Sequence, residues 1–242
     1  MMPRSRATLL LAVAFVLAPN RSELRGQKPD SLPPGYARDA KGGLVPPKSG
    51  LKAALTAPYV APVVGTREVF TNFSNVITAV PDRWHAKFTD GSGRKGMRTG
   101  LFIPDVPASP LAIDTTRLAQ FWPLKVGASM ALEVARYPRQ WIWRFEVTST
   151  ERITVGAGTF DTFVVTATAS PKTLQGGDAV STTLYTFWYA PETGTIVRVR
   201  SIRTVGESQA MRSGADLLRL ERPGKPSLGK ALPRVVAPKK KS

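Results

Sequence analysis

From Trp141 to Arg203 apolar and polar residues alternate, and three turn signals break the alternation at regular intervals. In the first segment Trp141, Trp143, Phe145 and Val147 fall on one face, with Ile142, Arg144, Glu146 and Thr148 on the other. Gly156-Ala157-Gly158 then supplies a tight connection that accepts positive φ. The second segment carries Phe163, Val165 and Ala167 on one face, and Pro171 to Asp178 interrupts the pattern. Ser181 to Ala190 follows. Pro191-Glu192-Thr193-Gly194 reads as a hairpin loop, with proline presetting φ and glycine taking the left-handed position. Thr195 to Val205 alternates Val197, Val199 and Ser201 with Ile196, Arg198, Arg200 and Ile202. Such β-branched and aromatic runs, punctuated by Gly and Pro, predict consecutive antiparallel strands.

Upstream the same reading predicts a strand within Val63 to Val80, a second from Trp84 to Phe88, and a third from Gly96 to Ile103. Asp90-Gly91-Ser92-Gly93 is a turn cluster between the last two. Pro104, Pro107 and Pro110 impose a loop. Asp114 is placed to N-cap a short helix, Thr115 to Phe121, whose Leu118 and Phe121 share a face. Ser129 to Ala135 is the next strand, and Ala215 to Leu220 a last one at an edge. The expected fold is mainly β: a curved antiparallel sheet or half-barrel with one short helix, flanked by disordered basic tails. The domain boundaries are set at 63–220, with a Pro/Gly-rich linker over 19–62 and a basic tail over 221–242, where apolar residues are too sparse to repay ordering.

Charge and the N-terminus change this picture in two ways. The formal charge is +17 over 242 residues. It is concentrated at the ends: residues 67–220 hold 18 Lys/Arg against 13 Asp/Glu, and the other 12 net charges lie in the flanks. A groove reader of nucleic acid would carry its charge on the folded face, so nucleic acid is not the expected partner. Basic flanks suit anionic envelope polymers or lipid head groups instead. Residues 1–18 place Arg4 and Arg6 before an apolar stretch from Ala7 to Ala18, too short for a span of about 20 residues. This is the pattern of a signal peptide or N-terminal anchor, and it predicts export to the periplasm or cell envelope of a bacterium. No further transmembrane span is expected. There is no cysteine, which removes disulfides, thiolate catalysis and Cys-ligated metal sites.

Three stretches, E-R-I-T-V-G-A-G-T-F-D-T-F-V-V (Glu151 to Val165), F-W-Y-A-P-E-T-G-T-I-V-R (Phe187 to Arg198) and W-P-L-K-V-G (Trp122 to Gly127), resemble a group of exported bacterial proteins. Their shared β-rich domain, of the V-x-A-G-x-F-D … W-Y-x-P-x-x-G type, has no assigned function. Gly156 stands where those proteins often have proline. The resemblance implies an antiparallel curved sheet in the cell envelope, of the half-barrel kind that carries lipoproteins or lipids. It supplies no catalytic residues.

Among chemistry-bearing residues, His85 is the sole histidine and reads as structural, Asp161 as a turn-flanking carboxylate, and Glu146 and Glu151 as lacking a second carboxylate for acid–base work. Gly156-Ala157-Gly158 lacks the helix and later glycine of a dinucleotide loop. No catalytic residue, metal ligand or cofactor is therefore expected. The aromatic residues hold more promise. Trp141, Trp143, Tyr185 and Trp188 are candidates for a ligand-binding platform, with Arg198 and Arg200 as holders of an anionic head group. The function expected is non-enzymatic binding of a lipid or other apolar or amphiphilic ligand. The alternatives are a structural or assembly protein whose basic tails hold anionic envelope polymers, and a hydrolase.

Overall fold

A computed structural model describes residues 37–38, 44–45, 56–105, 112–136, 139–172, 181–205 and 211–229. The expected N-terminal signal or anchor and most of the expected linker and C-terminal tail lie outside them. In chain order the elements are β1 (Ala37–Arg38), β2 (Leu44–Val45), β3 (Arg67–Phe70), β4 (Ser74–Ala79), β5 (His85–Asp90), β6 (Lys95–Thr99), β7 (Ile103–Asp105) and β8 (Ala112–Ile113). Then come α1 (Thr115–Phe121), β9 (Ser129–Arg136), β10 (Arg139–Val155), β11 (Gly158–Pro171), β12 (Ser181–Ala190), β13 (Thr195–Val205), β14 (Met211–Arg222) and β15 (Lys225–Leu228). β1 and β2 pair with each other. All other strands join one antiparallel sheet in the order β7-β6-β5-β4-β3-β14-β13-β12-β11-β10-β9-β8, with β15 on β14.

The sheet curls without closing. Phe102 sits in the turn between β6 and β7, near one end of the strand order, yet its ring centroid lies 5.2 Å from Phe187 of β12 and 6.0 Å from Phe145 of β10. Six interstrand steps separate β6 from β12. Laid flat they would span roughly 30 Å, at about 4.8 Å each. The rings therefore meet across the inside of a curve. The first core fills that concave side, with Phe102, Leu118, Phe121, Trp122, Leu132, Phe145 and Phe187 all buried there. α1 is capped as its sequence predicts: Asp114 Oδ1 accepts from Thr116 N–H at 3.0 Å, and Leu118 and Phe121 are the buried pair.

A second core takes side chains from the other side of β10 to β12, and a bulge turns the far half of β10 toward it. Between Val147 and Ser149 the β10–β11 register shifts by a residue. Because side chains alternate, an extra residue turns everything after it to the opposite face. Phe145 and Val147 point into the first core, while Ile153 and Val155 join Phe160, Val164 and Trp188 in the second. The tip of this long hairpin reaches β14, where Ala157 N–H donates to Leu217 O at 2.9 Å. A Cβ on Gly156 would stand 3.0 Å from the Leu218 Cα, so close backbone approach calls for glycine there.

Several boundaries differ from those the sequence pattern suggests. Val63 to Val80 holds two strands, because Phe70 N–H donates to Phe73 O at 2.8 Å and their rings stack, turning the chain between them. The strand expected over Gly96 to Ile103 stops at Thr99, where Gly100 takes φ +57°. Ala215 to Leu220 is no edge. It belongs to β14, which bonds β13 with its first half and β3 with its second and so joins the two parts of the sheet. The linker expected over 19–62 ends early: Ala57 and Leu124 exchange backbone hydrogen bonds of 2.9 and 2.8 Å, and Ala57 and Tyr59 are buried. Residues 221–228, expected to belong to the tail, continue the sheet instead, with Leu220 paired to Leu228 and Arg222 to Lys225.

Candidate functional site

Cross-strand partners share a face, so the registers order the concave side into rows. Deepest is Val147–Val165–Phe187–Val199, wholly apolar, whose continuation on β14, Ala215, packs in the second core. The next row outward is Phe145–Ala167–Tyr185–Ser201–Ser213, and beyond it Trp143–Ala169–Thr183–Arg203–Met211. Along the outer rows the rings and methyls of β10 and β11 and the Tyr185 ring give way to the hydroxyls of Thr183, Ser201 and Ser213 and the Arg203 guanidinium, and Met211 ends the outermost row with an apolar side chain. Alanines on β11 leave room for the large side chains of β10 and β12 to meet above them. Trp143 and Tyr185 stack at 5.2 Å, Trp143 and Phe145 at 5.7 Å, and Tyr185 and Phe187 at 5.6 Å. Phe102, Phe121 and Trp122 cover the inner end of this ladder. At the outer end Trp141, Trp143 and Tyr185 are only half-buried.

Polar groups at the two ends of the surface differ in kind. At the inner end the phenols of Tyr59 and Tyr189 stay protonated, because burial pushes Tyr59 up to about 12 and raises Tyr189 as well. Tyr189 O–H donates to Pro58 O at 3.3 Å. At the outer end Ser201 Oγ and Ser213 Oγ lie 2.7 Å apart, and Arg203 Nε donates to Ser181 Oγ at 3.0 Å. Arg203 is exposed and, among the described residues, makes no ion pair.

Of the six candidates from the sequence, Trp141, Trp143 and Tyr185 are thus brought to one face. Trp188, Arg198 and Arg200 are not. Trp188 points into the second core, where its indole N–H donates to Glu151 Oε2 at 2.7 Å. Arg198 pairs with Trp188 across the strands and lies over its ring at 5.7 Å. Arg198 Nε and Nη2 donate to the two oxygens of Asp216 at 2.9 and 3.0 Å, and Arg200 Nη2 reaches Asp216 at 2.6 Å. Burial opposes ionisation of Asp216, but the Arg198 hydrogen bonds and the Arg200 charge prevail and hold its carboxyl below the usual range. Among the described side chains Arg203 is the cation on the ring-bearing face, and the alternation sets it apart from Arg198 and Arg200 by odd against even numbering.

The other singled-out groups have local partners. His85 Nδ1 lies 2.7 Å from Asp82 Oδ2, in a turn where Asp82 also accepts from the backbone N–H groups of Trp84 and His85. Asp161 pairs with Arg152 at 3.2 Å, as expected of a carboxylate beside a turn. On the convex side Arg144, Glu146, Thr166 and Thr168 edge an open depression of about 490 Å³. Its mixed charge gives an apolar ligand little to bury against.

Residues 104–212 match the family model described as a protein of unknown function, DUF3108. The matched segment runs from β7 to the start of β14 and so contains the two outer rows up to Met211. No curated protein matches the chain. Among solved structures it is similar to the hypothetical lipoprotein YmcC of Escherichia coli, at 10% identity and a TM-score of 0.41, over 63% of this chain and 82% of that one. A protein from Bacteroides fragilis, described provisionally as exported and with a YmcC-like fold, aligns at 13% identity and TM-score 0.39 over 69% of this chain and 100% of its own. A protein from Parabacteroides distasonis, described provisionally as a lipoprotein, aligns at 14% identity and TM-score 0.37 over 68% of this chain and 99% of its own.

Proposed function

We propose that this chain is an exported bacterial envelope protein that binds an apolar or amphiphilic ligand on the outer half of its concave face, without chemistry of its own. The single observation that carries the binding role is the ring ladder's uneven cover. Its inner rings are closed over by α1 and the 100–103 turn, while Trp141, Trp143 and Tyr185 are left half-exposed. Half-exposed aromatics continuous with a packed core offer a ligand apolar area with few rotatable bonds to immobilise. Export rests on the arginine-led apolar stretch at residues 4–18.

The test is titration of the protein with a fluorescent acyl probe, alongside mass spectrometry of small molecules that co-purify with it. Trp143→Ala and Tyr185→Ala should each weaken probe binding about tenfold, the loss of a ring contact worth about 1.5 kcal/mol. Leu184→Ser removes an exposed apolar side chain from the convex face and should leave binding unchanged. Equal loss in all three variants, or no binding by the parent protein, would refute the assignment.

A further inference from the structure

Resting on that reading, we infer that Arg203 is the head-group residue of the site and that the ligand is an anionic single-chain amphiphile bearing a carboxylate or phosphate. Five arginines of the described sheet, Arg219 on Glu221 at 2.9 Å among them, are committed to a close carboxylate. Arg98 is bidentate on buried Glu68 at 2.9 and 3.1 Å, Arg198 and Arg200 share Asp216, and Arg152 holds Asp161. Among the described residues Arg203 has only a neutral partner, the Ser181 hydroxyl, which engages Nε and leaves the terminal nitrogens of the guanidinium for an incoming acceptor. A guanidinium held through Nε is preorganised to present its remaining N–H groups as a fork, the geometry that carboxylate and phosphate oxygens match.

Its position fixes which part of a ligand it meets. Arg203 is opposite Thr183 on β12 and Met211 on β14, two residues along the strands from the Tyr185–Ser201 pair and next to it on the same face. Its hydrogen bond to Ser181, which also lies on the Tyr185 side of β12, confirms that it points to the ring-bearing face. Met211 beside it is 61% exposed. An acyl chain lying over Tyr185 and Trp143 thus ends at a cation flanked by the Ser201–Ser213 hydroxyl pair and by apolar Met211. A neutral ligand would leave that guanidinium unpaired, so the site discriminates by charge at one end and by apolar area at the other.

The experiment measures binding of dodecanoate, dodecyl phosphate and dodecanol to the full chain and to its Arg203→Gln variant at neutral pH, with inorganic phosphate and acetate as head-group controls. Arg203 is exposed, so the variant should fold normally, and an unchanged thermal midpoint verifies this. The expected result is tenfold or greater weakening of dodecanoate and dodecyl phosphate in the variant, no change for dodecanol, and no measurable binding of the two free anions. Equal affinity of parent and variant for all three chains overturns the head-group role while leaving the binding role intact. Tight binding of free phosphate overturns the amphiphile and leaves an anion site. Failure of every chain to bind the parent overturns both readings together.

Discussion

Glu151 is 3% exposed and its carboxylate is held by one indole N–H, that of Trp188, while Thr162 O–H donates to the Glu151 backbone oxygen at 2.7 Å. A buried carboxylate that loses its donor bears its own desolvation, so Trp188→Phe should destabilise by about 2–3 kcal/mol, and Glu151→Leu added to it should recover part of that loss. Urea midpoints of the three proteins measure this; additive losses would show that the pair is not coupled. Asp90 shows the opposite case, a carboxylate over-supplied with donors. Ser92 O–H donates to it at 2.6 Å, opposed by burial, and Arg94 adds its backbone N–H at 3.0 Å and Nε at 2.8 Å, which together hold the carboxyl at about 2. A carboxyl depressed on folding stabilises the native state fully above its unfolded value of about 3.9, and that stabilisation is lost as pH falls through the native value. Asp90→Asn should therefore flatten the stability–pH curve between about pH 4 and pH 2 and leave its shape above pH 5 unchanged, as read from unfolding midpoints across that range.

At the scale of the elements, the β10–β11 hairpin depends on one surplus residue. Thr148 occupies the bulge, with its hydroxyl donating to Val164 O at 3.3 Å, and the strand beyond it serves the second core. Deleting Thr148 would restore simple alternation and turn Glu151, Ile153 and Val155 toward the wrong side. The expected cost exceeds about 4 kcal/mol, enough to abolish cooperative unfolding, whereas Thr148→Ser should cost less than about 1 kcal/mol. Loss of the cooperative transition in thermal unfolding of the deletion alone is the outcome to look for. The strands themselves were legible: Ser181–Ala190 and Thr195–Val205 have the bounds their alternation predicts, and Asp114 caps the helix that its position promises. The bulge was not, because Thr148, Ser149 and Thr150 are all small and polar and give the pattern no mark at which to change phase.

For the whole molecule, the unanticipated contacts are those that join distant parts of the chain. Residues 56–62 read as linker, yet Ala57 bridges to Leu124 and the Tyr59 ring lies 5.1 Å from Trp122 and 4.6 Å from Trp84. A chain that begins at residue 63 should be about 2–4 kcal/mol less stable than one that begins at residue 56, from the lost ring burial and two backbone hydrogen bonds. Matching denaturation midpoints for the two would contradict the packing of that segment. Likewise β14 reads as an edge because its expected stretch, Ala215 to Leu220, is short for a central strand and carries Asp216 and Arg219, and only its pairing with both β13 and β3 makes it the seam of the sheet.

Sequence alone was sufficient for part of what neighbouring residues settle among themselves: the bounds of β12 and β13, the turn between them, and the carboxylate that caps the helix. That Trp141 and Trp143 share a face of β10 follows from that local information. Which face becomes the inside of the curve is a different matter, and so is the choice of Arg203 over Arg198 and Arg200 as the cation there. Period-two alternation separates the two faces of a strand without saying which is concave. The curl of the sheet, the bulge at Thr148 and the placement of Asp216 opposite Arg198 decide it, and each is a contact between residues far apart in the chain.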